Sequence, residues 1–195
     1  MYDDAAEWPA GYRHGETLLP AIDDLLSRLE VGRAGLSAVV VGTGPGAFTG
    51  LRVGIATAKG LAQAIGCPII GISTAAAVLA GQPSDAVLLL PAGPSDRLVA
   101  TSTGQARLLP AGAEPDVAPG MTLVAVDLPG RAPDDALARG EAARAKLGAS
   151  LITLGAARLA TGDVDDLAGL VPEYVTLPRG VTTEGGEVAW SHDRR

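Results

Sequence analysis

VVVGTGPGAFTGLRVGIATAKGLAQAIGCPIIGISTAAAVLA, residues 39–80, decides how this chain is read. Val39, Val40 and Val41 form a β-branched run suited to a buried strand. A glycine-rich turn, Gly42 to Gly50, follows. The spacing then predicts a helix from about Leu51 to Ile65, closed by Gly66 and Pro68. A second apolar run, Ile69-Ile70-Gly71-Ile72, leads through Ser73, placed as an N-cap, into a short alanine-rich helix. Strand, crossover helix and strand make a βαβ unit with parallel strands and a right-handed connection.

The glycine turn invites three chemistries. A P-loop requires a lysine directly after its last glycine, but Leu51 follows Gly50. A dinucleotide fingerprint fits Gly42, Gly44 and Ala47 but needs an acid some twenty residues on. No Asp or Glu occurs from Val31 through Ser84. There remain backbone N–H groups cradling an anion or nucleotide, with Gly44, Gly46 and Thr49 as the candidates, or a turn that merely joins strand to helix. Residue patterns leave these two equal.

The crossover helix carries small residues every four positions: Gly50, Gly54, Ala58 and Ala62. Glycine inside a helix costs roughly 1 kcal/mol relative to alanine, so close approach of another helix or of the sheet is the expected reason. Arg52, Lys59 and Gln63 keep the opposite side wet. Upstream, Thr17 is expected to cap a helix bearing Leu18, Leu19, Ile22, Leu25, Leu26 and Leu29 at helical spacing, with Pro20 in its first turn. Pattern alone favours a helix lying on its own core over one facing a partner.

Downstream of Gly81-Gln82-Pro83-Ser84, strands are expected at Ala86–Leu90, Leu98–Thr101, Gln105–Leu109 and Thr122–Val126. Helices are expected from Asp134 or Asp135 to about Leu147 and from Ala149 to Leu159. Residues 1–82 make an N-terminal lobe of helix plus βαβ, 83–178 a C-terminal lobe, and 179–195 a mobile tail.

The 195 residues carry a net charge of −7, which disfavours direct nucleic-acid binding by this chain. They are 47% hydrophobic but only 3% aromatic, so packing must rely on small side chains. The single cysteine, Cys67, excludes an internal disulfide and fits a reducing cytoplasm, where it reads as a small apolar residue. No apolar run is long enough to span a membrane. His14 and His192 are the only histidines and lack metal-ligand spacing. No nucleophile–base pair is visible, so the chain reads as a scaffold more than an active site.

Val41 to Gly54, with its string GPGAFTGLRVG, together with Ala58-Lys59-Gly60-Leu61-Ala62 and Pro68 to Ser73, resembles the TsaB (YeaZ) family. Those bacterial proteins take part in threonylcarbamoyladenosine modification of tRNA. His14 with Leu18, Leu19, Pro20 and Ile22 matches the family's preceding helix, and Pro172-Glu173-Tyr174-Val175 resembles its C-terminal signature.

The resemblance implies an α/β, actin-like (ribonuclease H-like) two-lobed fold. It implies a non-catalytic subunit that binds and activates TsaD for threonylcarbamoyl transfer to the adenosine adjoining the anticodon. TsaE joins the assembly, and tRNA is reached only through the complex. The partner-binding residues it transfers are Leu18, Ile22, Leu25, Leu29, Gly50, Arg52, Gly54, Ala58 and Ala62, which pair two chains as a homodimer when TsaD is absent. No cofactor is assigned to this chain, although ATP or ADP at the lobe or partner interface fits the fold family. The H-x-x-x-H pair of TsaD-type metal sites is missing. A glycoprotease-like peptidase or a nucleotide-dependent phosphotransferase is the alternative.

Three departures from the family stand out. Its opening apolar strand and hairpin have no counterpart here, so the first lobe is expected to lack N-terminal strands through a start placed too far downstream, leaving an unpaired edge beside Val39–Val41. Gly93-Pro94-Ser95-Asp96-Arg97 stands where the family has D-A-R. Thr176 replaces the usual arginine after the C-terminal signature.

Overall fold

The computed structural model describes residues 4–7, 14–103, 105–115, 118 and 120–175, and the backbone of 181–184 and 187–190. At its centre stands the βαβ unit. Strand β1 (Val39–Gly44) pairs in parallel with β2 (Ile69–Ser73), with Val39 opposite Ile69 and Val41 opposite Gly71.

The crossover helix α2 spans Phe48–Ile65 and ends at Gly66, whose left-handed φ of 76° lets its N–H reach the Ala62 carbonyl at 2.8 Å. Helix α3 (Thr74–Leu79) starts at Ser73, whose Oγ accepts from the Ala76 N–H at 3.5 Å. Both boundary expectations hold.

Helix α1 (His14–Arg28) begins three residues before the expected Thr17 cap. Pro20 therefore lies inside the helix and not in its first turn, where it cannot donate to the carbonyl four residues back. No described residue of α1 is buried, so the helix does not lie on a core of its own. A short 3-10 turn at Arg33–Gly35 leads from it to β1.

The second sheet has the order β5-β4-β3-β6. Its strands are β3 (Val87–Ala92), β4 (Asp96–Thr101), β5 (Ala106–Leu109) and β6 (Leu123–Ala125). β3, β4 and β5 form an antiparallel meander, while β6 joins β3 in parallel. Leu88 and Leu89 of β3 alternate between two apolar layers. Each is fully buried, a contribution of about 1.5–3 kcal/mol per side chain.

Helices α4 (Asp134–Arg144) and α5 (Leu147–Ala160) follow close to their expected places. A hairpin of β7 (Val181–Glu184) and β8 (Glu187–Trp190) lies within the stretch read as a mobile tail.

Packing does not respect the division expected at residues 82 and 83. The β1–β2 pair is sandwiched between two helices that lie far apart in sequence. On one face Val39, Val41 and Ile69 meet Ile55, Ala58 and Ala62 of α2, together with Leu167 and Leu170. On the other, Val40, Ile70 and Ile72 meet Leu151, Leu154 and Leu159 of α5. Gly155 permits that approach, since a Cβ there would sit 2.8 Å from Val40 Cγ1. Among the described strands, β1 pairs only with β2.

Candidate functional site

Carboxylates absent from residues 31–84 are supplied to the glycine turn and to β2 from the far end of the chain. Thr43, only 7% exposed, donates from Oγ1 to Glu173 Oε1 at 2.6 Å, while the Glu173 N–H donates to the Thr43 carbonyl at 2.8 Å. Tyr174 continues the clasp: Arg52 Nε donates to its hydroxyl at 2.9 Å. The Arg52 guanidinium lies 4.1 Å from the Phe48 ring centre, and the Phe48 and Tyr174 rings stand 5.2 Å apart. The turn is thereby laced shut on this side by residues 173–174.

That lacing bears on the anion-binding candidates. Gly44 adopts φ +114°, and a Cβ there would meet the Glu173 carbonyl at 3.2 Å and Leu51 Cδ1 at 3.1 Å. Its N–H donates to Thr74 Oγ1 at 3.0 Å, and its carbonyl accepts from Ser73 Oγ at 3.3 Å. Gly44 is thus committed within the fold, and its N–H is not free to hold an anion. Gly46 and Thr49 remain exposed beside the start of α2, where Ala47 provides no side-chain cap.

A second clasp closes the free side of β2. Asp165 Oδ2 accepts from the Gly71 N–H at 2.7 Å, and Arg158 Nη1 donates to the Gly71 carbonyl at 2.8 Å and to Asp165 at 3.1 Å. Asp165 N–H adds a bond to the Ile69 carbonyl at 3.0 Å. Arg158 also grips Asp163, with Nε at 2.8 Å and Nη2 at 2.9 Å. This hydrogen-bonded pair pushes the Arg158 pKa up and holds the Asp163 carboxyl below its ordinary range.

The expected partner-binding residues of α2 fall into three groups. Ala58 and Ala62 are 6% and 1% exposed and pack on Ile69 and Leu170, so the sheet is the close neighbour that explains them. They offer no surface to another chain. Arg52 is exposed but held by Phe48 and Tyr174.

Gly50 and Gly54 differ from both: a Cβ at either would meet nothing within 4 Å. By helical periodicity they share a face with Leu61 and Ile65. That face borders an open groove of about 650 Å³ between α1 and α2, lined by Leu19, Ile22, Leu26, Leu36, Leu61 and Ile65. Ile22 is the one expected α1 residue that lines it; Leu18, Leu25 and Leu29 are half-buried nearby in sequence, and Leu19 is 52% exposed.

The clasps through Glu173, Tyr174, Arg158 and Asp165 were not legible as partners of the central stretch. Only the likeness of Pro172–Val175 to a family signature pointed there. Among the described residues, no group of three His, Cys, Asp or Glu could hold a metal ion, and no helix is long and apolar enough to cross a membrane. His14's side chain and Thr176 lie outside what the structure describes.

Comparison with known proteins places these features in context. The family model described as "TsaD: tRNA N6-adenosine threonylcarbamoyltransferase" matches residues 9–171. The tRNA threonylcarbamoyladenosine biosynthesis protein TsaB of Escherichia coli (strain K12) is 41% identical over 61 residues, which is 31% of this chain and 26% of that protein. TsaB of Haemophilus influenzae is 42% identical over 65 residues, 33% of this chain and 28% of that protein.

A tRNA N6-adenosine threonylcarbamoyltransferase of Anaeromyxobacter dehalogenans (strain 2CP-C) is 42% identical over 64 residues, 33% of this chain and 19% of that protein. The chain therefore spans between 19% and 28% of these relatives' lengths. Among solved structures, YeaZ from Pseudomonas aeruginosa superposes with a TM-score of 0.60 at 23% identity, covering 83% of this chain and 84% of that one. The fold is thus the expected α/β, actin-like one.

Proposed function

The chain belongs to the TsaD family, whose model is described as tRNA N6-adenosine threonylcarbamoyltransferase, and from its 41–42% identity to TsaB proteins over 61–65 residues we propose that it is a non-catalytic subunit of tRNA threonylcarbamoyladenosine synthesis. In this reading it binds TsaD through the α1–α2 face and supports threonylcarbamoyl transfer to the adenosine adjoining the anticodon. TsaE is a further member of the assembly, tRNA is bound by the complex as a whole, and the setting is the cytoplasm. The same face joins two copies of this chain when TsaD is absent.

One observation carries the reading. Gly50 and Gly54 have open space where a Cβ would stand, and by helical periodicity they lie on the face of α2 that, further along, lines a groove through Leu61 and Ile65. A partner helix lying against that face makes small residues useful, because the two backbones can then approach closely. The lacing of Gly44 and Thr43 by Glu173 supports a rigid turn that presents α2, in preference to a phosphate loop.

Capture of TsaD from the same organism by this chain tests the proposal. Replacing Ile22 with Asp, or Gly54 with Leu, should reduce capture at least tenfold while leaving the circular dichroism of the chain unchanged. Undiminished capture by both variants refutes the interface. Threonylcarbamoyl transfer by the chain alone refutes the non-catalytic role.

A further inference from the structure

Three loops meet at one end of the second sheet: the β3–β4 turn (93–95), residues 110–115 after β5, and the β6–α4 connection (126–133). Two arginines bind them together. Arg97 donates from Nη1 to the Arg131 carbonyl at 3.1 Å and from Nη2 to the Ala113 carbonyl. Arg131 Nη1 donates to the carbonyls of Pro94 at 3.2 Å and of Gly93 and Asp96 at 3.4 Å. The loops enclose a cleft of about 430 Å³ lined by Ser95, Arg97, Gly112, Glu114, Gly130 and Arg131.

Among the described arginines, Arg52 and Arg107 also lack a carboxylate partner but are exposed, whereas the two arginines of this cleft are half-buried. Arg28, Arg33, Arg139, Arg144 and Arg158 each pair with a carboxylate. Arg97 and Arg131 are half-buried, yet among the described residues they bond only neutral carbonyls. Each guanidinium has five N–H donors. Nε of both, and Nη2 of Arg131, make no bond to a described residue. Two half-buried cations with donors to spare are complementary to a phosphate group, whose oxygens match the guanidinium fork; of the nearby carboxylates, Asp96 accepts from the Ala111 N–H at 2.9 Å and Glu114 is exposed, and neither bonds a guanidinium.

We propose that this cleft binds a small phosphorylated metabolite through its phosphate. The volume lies within the usual 300–1,000 Å³ of small-molecule sites. A long polyanion is the poorer match, because the chain carries net charge −7 and the exposed Glu114 stands on the cleft's rim. The assignment does not depend on the TsaD-binding reading, and capture experiments leave it untouched.

Calorimetric titration of the whole chain at low salt, with pyrophosphate, inorganic phosphate and a single-stranded oligonucleotide, tests it. Saturable one-site binding of pyrophosphate is expected, weakened about tenfold or more in Arg131→Gln. Because that change also removes a loop tie, Glu114→Gln is the decisive variant: it leaves both arginines in place and should tighten binding about threefold by removing one nearby negative charge. The proposal is overturned if pyrophosphate does not bind, if Glu114→Gln and Arg131→Gln leave the affinity unchanged, or if the oligonucleotide binds more tightly than pyrophosphate.

Discussion

Replacing Gly54 with Ala should make the isolated chain more stable while leaving α2 in place. Gly54 lies in the interior of an 18-residue helix, has no positive φ, and has open space where a Cβ would stand. Glycine costs such a position about 0.5–1 kcal/mol relative to alanine, largely because the unfolded chain loses more freedom on folding. For a chain of this size, 1 kcal/mol corresponds to about 2–4 °C in Tm.

Gly60 is equally open but lies about 120° around α2 from Gly54, at an exposed position, so Gly60→Ala should stabilise by a similar amount and serve as the control. The assay is urea unfolding at several protein concentrations, since self-association through the α1–α2 face would raise apparent stability by mass action. TsaD capture is measured on the same samples. Gly60→Ala should preserve it, whereas Gly54→Leu should not. A fall in the urea midpoint on Gly54→Ala, independent of concentration, would refute the claim that this position is unpacked within the chain.

Other perturbations probe the clasps. Glu173→Ala strips the buried Thr43 hydroxyl of its acceptor and should cost roughly 1–3 kcal/mol in urea unfolding, whereas Glu173→Gln, which keeps an oxygen there, should cost less. Gly71→Ala drives a methyl to 2.7 Å from Thr43 Cγ2 and against Leu170 Cδ1, so destabilisation of about 1–3 kcal/mol is expected from overpacking.

The Asp163 carboxyl, held below the ordinary carboxylate range by the Arg158 hydrogen bond, contributes stability that is fully present above that range and lost as pH falls through the depressed folded value. The difference in urea midpoint between wild type and Asp163→Asn should therefore be constant above about pH 5 and shrink toward pH 2. A difference that grows on acidification would show the sign to be wrong.

Much of the architecture was legible because local signals agreed with one another. The valine run, the glycine stop at Gly66 and the Ser73 cap each specify a boundary through nearest-neighbour chemistry, and each falls where expected. The α1 start was missed because Thr17 is a good cap by residue type and Pro20 argued for a first turn, yet the helix runs back to His14.

The small-residue stripe was only half decipherable. Spacing alone cannot tell Ala58, which faces the sheet, from Gly54, which faces open space. The clasps were not legible at all. Contacts 94 and 130 residues apart in sequence leave no periodic trace, and the carboxylate-free stretch 31–84 carries no signal of charged partners that arrive from the far end. The Arg97–Arg131 cleft was hidden for the same reason: its bonds run to loop carbonyls, which carry no residue-type signal.

The return of α5 and residues 163–175 onto the first sheet sets an order on how the protein can be made. As the chain leaves the ribosome, β1, α2 and β2 emerge early, but Val40, Ile70 and Ile72 stay uncovered until Leu151 to Leu159 arrive. The Gly71 backbone waits for Arg158 and Asp165, and Thr43 for Glu173. Nascent chains that lack α5 and residues 163–165 thus carry a sheet with one bare face and one open rim, a surface prone to premature association. The strands of the second sheet are complete by residue 125, and its two apolar layers are covered by Leu128 and Ala136 on one side and by Ala143 and Leu147 on the other. Completion of the first sheet therefore turns on residues 147–175, although the stretch that decides the fold, 39–80, precedes them.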